Sequence, residues 1–410
     1  MLLEFSVTNF RSIKEKQTLS LLKSKLKDDG LEGNYSTITL STGKTLDVLN
    51  SAVIYGANAS GKSNLVLAMQ TMFNIIEQST NYQKNQGILG IELFSFSQEN
   101  VKQPTEFELD FIDDGVRFVY GFSATQEKII DEWLYQYPKG SPQNLIDRQA
   151  TSQWGTMSGL KGKKKTWQES TKDNSLFFST AVQLNSSQLT NIFYSIMKFR
   201  FAIHEFNHPM ITIDAIENNG KKQQVLGFLN RADMSIKDII IETKAVDMES
   251  IPENQRIVAE VDGIRVKTKH VETNIGFVHD NNVIFNLQSE SSGTKKIFHL
   301  IGAWLDVLES GYCLVLDELQ NSLHPKLVEY LVKMFHNPEL NKNGAQLIFV
   351  THETSLLDQD IFRRDQVWFC EKEDNATELF SLADFKVRKG VDDLEKAYLS
   401  GRYGAVPYLR

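Results

Sequence analysis

The most specific chemical signal in the sequence is a run of small residues with one lysine, in the stretch VIYGANASGKSNLVLAM. It has the spacing G-x-x-x-x-G-K-[ST], in which successive backbone N–H groups surround the phosphates of a nucleotide. Glycine permits the tight turn, lysine supplies a point charge for the terminal phosphates, and the serine hydroxyl is a ligand for Mg²⁺. The candidate nucleotide-binding residues are Asn58, Ser60, Gly61, Lys62, Ser63 and Asn64.

A pair of adjacent acids follows an apolar run in CLVLDELQNSLHP. Four apolar residues place Asp317 and Glu318 at the carboxyl end of a predicted strand, where ligands gather in open α/β sheets. We expect Asp317 to hold the metal ion and Glu318 to polarise an attacking water. The alternative is an acid pair that caps the next helix.

A third polar strand end lies in LIFVTHE, where an apolar run leads to His352. A histidine at that point can donate a hydrogen bond to the terminal phosphate of a bound nucleotide, and we predict a catalytic role for His352. The alternative is an ordinary surface histidine.

The stretch QSESSGTKK offers hydroxyls and N–H groups immediately before a predicted long helix. Ser291, Gly293 and Thr294 are therefore candidates for a second anion site at a helix N-terminus, with a simple helix cap as the alternative. Two anion sites and one nucleotide indicate a dimer.

The hydrophobic periodicity shows which elements hold these residues. AVIY predicts a buried strand before the phosphate loop, and the helix after Lys62 is expected to extend to about Gln78. After Gly293, helices alternate with continuously apolar strands, which is typical of a parallel α/β sheet. PTEFELDFIDDGVRFVYGFSA predicts antiparallel strands with a turn at DDG.

The predicted domains are the N-terminal part of a nucleotide-binding head with an antiparallel β subdomain (1–130), an inserted α/β region (131–285) and the C-terminal part of the head (286–410). In the inserted region, SLFFSTAVQLNSSQLTNIFYSIMKF and KQQVLGFLNRADMSIKDIIIETK are expected to be helical. KGKKKTW is the one dense cationic run, either a solvated loop or a contact surface.

The composition indicates a soluble globular protein with 41% hydrophobic and 23% charged residues. No apolar run approaches the roughly 20 residues of a membrane span, so we expect a cytoplasmic protein without membrane contact. The net charge of -8 disfavours a protein that is basic throughout, although nucleic acid remains a possible partner of a local basic groove. Both cysteines lie in apolar runs and are expected to be buried thiols.

Taken together, VTNFRSI, GANASGKSN, ESSGTKK, LVLDE with NSLHP, and THE resemble the ABC-type ATPase heads of the SMC/RecF group. The resemblance is closer to the AAA family ATPases allied to OLD-type proteins of bacterial phage defence, and it extends to PTEFELDF, NRADMSIKDI and GRYGAVP. Ser292 and Thr294 stand where transporter heads usually carry Gly and Gln, and Gln98, after LFSFS, is a candidate for the Q-loop glutamine.

The resemblance implies an α/β fold, an ABC-type P-loop ATPase head with a mixed sheet, and ATP with Mg²⁺ as cofactors. It implies a homodimer or higher homo-oligomer in which Ser291 and Gly293 act on the partner's nucleotide. Asn321, Ser322 and His324 would then lie near the dimer seam. Arg11 resembles a basic residue near the nucleotide, with a surface arginine as the alternative.

Two functions follow from the resemblance. The first is an ATPase that regulates a separately encoded effector, such as a Toprim-type nuclease, in antiphage defence; OLD-type nucleases carry a Toprim domain after the ATPase, and this chain ends at Arg410. The second is a RecF/SMC-like ATPase that binds DNA in repair or chromosome maintenance. A nucleotide-binding scaffold with slow hydrolysis is a third hypothesis, from a different class.

Overall fold

A computed structural model describes residues 1–28, 30–202, 209–232, 234–246, 258–261, 264–267, 270–388 and 390–407. The chain divides into two compact units: the first unit contains Met1–Glu205 and Val307–Arg410, and the second contains Phe206–Asp306. Within the described residues, none of the helices combines the length and apolar character needed to cross a membrane.

The strands of the described residues are, in chain order, β1 (Leu2–Thr8), β2 (Gln17–Ser20), β3 (Tyr35–Thr39), β4 (Thr45–Leu49), β5 (Ser51–Gly56), β6 (Thr105–Asp113), β7 (Val116–Ala124), β8 (Ile129–Tyr137), β9 (Gln143–Gln149), β10 (Gln153–Trp154), β11 (Phe199–Ala202), β12 (Asp238–Val246), β13 (Val258–Val261), β14 (Ile264–Lys267), β15 (His270–Val278), β16 (Ile284–Asn286), β17 (Cys313–Leu316), β18 (Gln346–Val350), β19 (Val367–Glu373) and β20 (Ala376–Ser381). The α-helices are α1 (Lys62–Gln78), α2 (Lys164–Ser170), α3 (Phe177–Gln183), α4 (Ser187–Ile196), α5 (Met210–Glu217), α6 (Lys222–Arg231), α7 (Ser292–Ser310), α8 (Pro325–His336) and α9 (Leu394–Leu399).

A six-stranded sheet in the first unit has the order β11-β17-β18-β5-β19-β20. All neighbouring pairs are parallel except β19 and β20. Every residue of β5, β17 and β18 is buried, because a parallel sheet is covered on both faces and selects continuous apolar strands. This pattern confirms the predicted α/β fold with a mixed sheet. The free cysteines, Cys313 and Cys370, are both buried in it as expected.

The first unit also contains an antiparallel sheet of seven strands, in the order β10-β9-β8-β7-β6-β1-β2, and a two-stranded sheet of β3 and β4. The predicted turn at DDG is confirmed: Asp114 and Gly115 have φ of 46° and 73° between β6 and β7, the positive pair that a tight hairpin requires. The sheet continues through β8, where Asp131, the predicted start of the inserted region, pairs with Ser123 of β7 next to a shift in register.

Two segments predicted to be helical are divided in the structure. SLFFSTAVQLNSSQLTNIFYSIMKF forms α3 and α4, because Asn185 adopts a left-handed conformation with φ of 63° and ends the first helix. KQQVLGFLNRADMSIKDIIIETK forms α6 and then β12, so the prediction was wrong for its second half. Three consecutive isoleucines there favour an extended strand over a helix.

The second unit contains a sheet with the order β12-β15-β16 and helices that pack beside one another. The Thr212 hydroxyl of α5 donates to the carbonyl of Phe298 at 2.6 Å and accepts from the N–H of Gly302 at 3.0 Å. A side chain at Gly302 would overlap Thr212, so glycine permits this close contact of α5 with α7.

Candidate functional site

The phosphate loop connects β5 to α1 in the first unit, as the sequence predicted. Gly61 has φ of 106°, a conformation that favours glycine, and a Cβ at this position would overlap the side chain of Thr377. Asn58 lies exposed in the loop, whereas Ser60 is buried and its hydroxyl has no hydrogen-bond partner among the described residues. The loop is therefore closely packed from behind and open at its tip.

Lys62, the first residue of α1, is only 5% exposed. Its ammonium donates to the carbonyls of Gly56 and Ala57, at 2.9 Å each, so the side chain folds back over the loop. Burial lowers the pKa of Lys62, and this effect is opposed by Cys370, Asp317 and Glu318. An anion that binds beside this desolvated ammonium would stabilise its charged form.

Asp317 and Glu318 follow β17 directly, at the same edge of the sheet as the phosphate loop. Asp317 Oδ1 is buried and has no hydrogen-bond partner among the described residues. A buried carboxylate oxygen without a donor fits a metal ligand, and Ser63, exposed in the first turn of α1, fits as a second one. These two residues would hold Mg²⁺.

Glu318 is exposed and has a φ of 53°, a backbone conformation that is strained for a residue with a Cβ. Its carboxylate accepts a short hydrogen bond from the amide of Asn321, in the segment after the strand. Strained backbone conformations of this kind cluster at functional sites, where the surrounding structure holds a side chain in position. The carboxylate is thus presented to solvent beside the buried Asp317.

His352 follows β18, the strand between β17 and β5. Partial burial and the positive charge of Lys62 lower the pKa of His352, while Glu318 and Asp317 act in the opposite direction. The four side chains therefore lie in one another's electrostatic field at the carboxyl ends of three adjacent strands. A lowered pKa keeps the imidazole neutral at pH 7, so one ring nitrogen donates and the other accepts.

Arg11 lies beside α1, where its guanidinium donates to Asn64 Oδ1 at 3.3 Å. It also forms an ion pair with Glu92 at 2.6 Å. Asn64 in turn donates to the hydroxyl of Ser12 at 2.7 Å. The structure thus brings Arg11 next to the nucleotide-binding segment, with a carboxylate partner already in place.

Three supporting residues were missed by the sequence reasoning: Ser12, Gln320 and Thr377. The hydroxyls of Ser12 and Thr377 are 2.7 Å apart, and Thr377 also donates to the carbonyl of Ser60 at 2.9 Å. Gln320 accepts from the hydroxyl of Thr351 at 2.8 Å, which links the strand ends of β17 and β18. Ser12 and Gln320 neighbour recognised residues, but nothing in the local sequence distinguishes Thr377.

Ser291, Gly293 and Thr294 belong to the second unit, at the start of α7. The N–H of Thr294 donates to the Ser291 hydroxyl at 3.1 Å, which is the geometry of a helix cap. The Ser291 side chain also lies 2.8 Å from the Thr294 hydroxyl. The cap and the predicted anion site are compatible, since Ser291 and Ser292 are exposed.

The segment after Glu318 leads into α8 in the first unit. Asn321 and Ser322 are exposed, and Ser322 has a φ of 61°. The His324 ring accepts from the N–H of Lys326 at 3.2 Å and so caps α8. The predicted position of these residues at a dimer seam stays a prediction.

Residues 51–358 match the family described as "AAA domain, putative AbiEii toxin, Type IV TA system". The chain belongs to this family. The match begins at the first residue of β5 and includes the phosphate loop, both carboxylates and His352. The chain is therefore a P-loop NTPase of this AAA-domain family. Curated proteins yield no match.

Solved structures similar to this AAA-domain chain include the SMC head domain from Thermotoga maritima, with 12% identity, 94% of this chain and 99% of that chain covered, and a TM-score of 0.41. The Smc head domain of Pyrococcus furiosus bound to the C-terminal domain of ScpA has 11% identity, coverages of 93% and 96%, and a TM-score of 0.44. For cbiO1 from Clostridium perfringens, part of an ABC transporter complex, the identity is 11%, the comparison covers 94% of this chain and 90% of that chain, and the TM-score is 0.29. At identities this low, the activities and partners of these proteins cannot be transferred to this chain.

Proposed function

We propose that this chain binds ATP with Mg²⁺, hydrolyses it as a homodimer or higher homo-oligomer, and thereby regulates a separately encoded effector in antiphage defence. The observation that carries the proposal is the convergence of Lys62, Asp317, Glu318 and His352 at the ends of three adjacent parallel strands. A cation, two carboxylates and a neutral imidazole are the groups that phosphoryl transfer to water requires.

Each residue has a distinct part in hydrolysis. Lys62 neutralises charge on the terminal phosphates, and Ser63 with Asp317 holds the metal ion. Glu318, exposed beside them, orients a water molecule and takes up its proton. Neutral His352 donates a hydrogen bond to the terminal phosphate. Bound ATP with Mg²⁺ supplies the phosphoanhydride bond that is cleaved.

In the proposed dimer, the nucleotide of one protomer is completed by Ser291, Gly293 and Thr294 of the other. This arrangement rests on the resemblance to ABC-type heads and on two features of the second unit. Ser291 and Ser292 are exposed at the start of α7, and a helix N-terminus favours an anion. Gly293 leaves room for a close approach of phosphate to the backbone.

The effector would dock on the inserted region, and β16 is the best-suited surface of the second unit. This strand lies at the edge of its sheet, and together with the residue before it exposes a run of apolar side chains, Val283, Ile284 and Phe285, at 46%, 57% and 47%. An exposed apolar edge strand is a template for pairing with another chain. A separately encoded effector, which we propose is a Toprim-type nuclease, would cover it.

Co-purification with the product of the neighbouring gene tests this function. We expect the wild type to bind that product, and Glu318→Gln to change the amount bound because ATP is trapped unhydrolysed. Glu339→Gln, the same change at an exposed acid after α8, is the matched control. Nuclease activity of the pure single chain that disappears with Glu318→Gln would overturn the two-component proposal.

The docking surface has its own test. Ile284→Lys places a charge in the middle of the apolar edge and is expected to abolish co-purification while leaving ATP hydrolysis intact. Leu399→Lys is the matched control, since Leu399 is 60% exposed in the first unit, outside the predicted docking region. Equal loss with both variants, or loss with neither, would argue against docking on β16.

A further inference from the structure

A cavity of about 620 Å³ lies in the first unit, between the cationic run KGKKKTW, α2 and the turn between α3 and α4. None of the described residues that line it is acidic, although the chain as a whole has a net charge of -8. Its volume falls within the ~300–1,000 Å³ typical of small-molecule sites. The proposed ATPase mechanism uses no residue of this cavity.

One wall of the cavity is the N-terminus of α4, whose first-turn N–H groups have no acceptor within the helix. Ser186 occupies the capping position but forms no side-chain cap. Ser186 is only 2% exposed, and its buried hydroxyl has no hydrogen-bond partner among the described residues. A buried hydroxyl without a partner, beside free N–H groups, is a costly arrangement that an anion would satisfy.

Two lysines of the cationic run line the same cavity, Lys161 and Lys163. Both are exposed, and neither forms an ion pair among the described residues. The other lysines of the run are already engaged: Lys164 donates to the carbonyl of Met157 at 2.6 Å, and Lys165 pairs with Glu169 at 3.9 Å. The two cations that line the cavity are thus the two lysines of the run whose ammonium groups have neither a hydrogen-bond nor an ion-pair partner among the described residues.

The position of the lysines beside α4 is fixed by the surrounding structure. Gln188, in the first turn of α4, accepts from the N–H of Lys161 at 3.0 Å and donates to the carbonyl of Gly159 at 3.2 Å. Gly162 has a φ of 108°, and a Cβ there would come within 2.5 Å of the ring of Trp167. Trp167, 4% exposed, forms an apolar wall of the cavity.

We propose that this cavity is a second phosphate site, distinct from the ATP site, that binds a phosphate ester of about mononucleotide size. Lys161 and Lys163 pair with the phosphate oxygens, while Ser186 and the N-terminus of α4 donate to them. The ester can belong to a free nucleotide or to a single-stranded nucleic acid, since both carry the same phosphate chemistry. The inference is independent of the proposed ATPase function.

Calorimetric titration with inorganic phosphate, adenosine monophosphate and a short single-stranded oligodeoxynucleotide tests the site. We expect binding to the wild type that the double variant Lys161→Gln/Lys163→Gln weakens at least ~10-fold, because charge-assisted hydrogen bonds are lost. Ser186→Ala should weaken it several-fold. Tighter binding of the oligonucleotide than of the monophosphate would identify nucleic acid as the source, and the reverse a free nucleotide.

Lys165→Gln is the matched control, because it removes one charge from the same run outside the cavity and should bind as the wild type does. The same titrations in Lys62→Ala separate this site from the ATP site, because the binding that the Lys161→Gln/Lys163→Gln variant loses should persist in Lys62→Ala. No binding of any of the three ligands, or equal binding by the double variant and the wild type, would overturn the proposal. ATP affinity should stay unchanged in the double variant.

Discussion

The hydroxyl of Thr377 donates to the carbonyl oxygen of Ser60 at 2.9 Å, so β20 supports the phosphate loop from behind. Thr377 is 2% exposed, and its N–H donates to the carbonyl of Ser12 at 2.7 Å. An edge strand from the far end of the chain thereby fixes the loop that the sequence places near the N-terminus.

Thr377→Val keeps the shape of this side chain and removes its hydroxyl. We expect the free energy of unfolding to fall by about 1–3 kcal/mol, because buried acceptors lose their donor, and ATP affinity to fall with the loosened loop. Denaturant unfolding and ATP titration measure the two effects. Thr39→Val, at an exposed position of β3, is the control; equal effects of both variants would contradict the supporting role.

Lys62→Ala is expected to weaken ATP binding at least ~10-fold, because the buried ammonium is the charge available to the terminal phosphates. The far-UV circular dichroism spectrum should remain that of the wild type. Equilibrium binding of ATP measures the loss, and Lys139→Ala, at an exposed turn of the first unit, is the control. ATP affinity at the wild-type level in Lys62→Ala would remove the central assignment.

We expect substitutions of Asp317 and Glu318 to have different effects on hydrolysis and on Mg²⁺ dependence. Glu318→Gln should bind ATP with Mg²⁺ and hydrolyse it at least ~100-fold more slowly, as expected for loss of a general base. Asp317→Asn should also require more Mg²⁺ for half-maximal binding, since the unpartnered Oδ1 is the proposed ligand. Mg²⁺ titrations with single-turnover rates distinguish them, and equal, mild effects from both variants would refute the division of roles.

Gly293→Asp places a carboxylate where the partner's terminal phosphate is proposed to lie, so it should block hydrolysis without blocking ATP binding. Mixing this variant with Lys62→Ala should recover part of the turnover, because one site of the mixed dimer still combines an intact phosphate loop with an intact Gly293. Each variant alone is the control. Confirmed mixed dimers without turnover would argue against shared sites.

His336 predicts the pH dependence of stability. Burial lowers its pKa from 6.5 to about 3, and its Nε2 lies 2.8 Å from the hydroxyl of Ser51 at the start of β5. The unfolded chain takes up a proton below pH 6.5, whereas the folded chain does so only near pH 3. The contribution of neutral His336 to the free energy of unfolding is therefore complete above pH 6.5, and it is lost on acidification by up to about 1.4 kcal/mol per pH unit.

Urea unfolding from neutral to about pH 4 measures this slope. His336→Gln should reduce it, and His324→Gln, at an exposed histidine before α8, should leave it at the wild-type value. An unchanged slope in His336→Gln would assign the acid sensitivity to other groups.

The local sequence determined the elements that carry the proposed ATP site. A buried apolar run, a G-x-x-x-x-G-K-S loop and an amphipathic helix specify β5, the loop and α1, including the helix end at Gln78. The apolar run before Asp317 and Glu318 specified β17 equally well, because burial on both faces of a parallel sheet leaves a pattern in consecutive residues.

Only the tertiary structure decided which distant residues meet. Thr377 donates a hydrogen bond to Ser60, which lies more than three hundred positions earlier in the chain. Lys161 and Lys163 line one cavity with the N-terminus of α4, the helix that Asn185 separates from α3. Such contacts depend on sheet order, register and packing. These properties are set by the whole chain and leave no periodic pattern in the residues that make the contact.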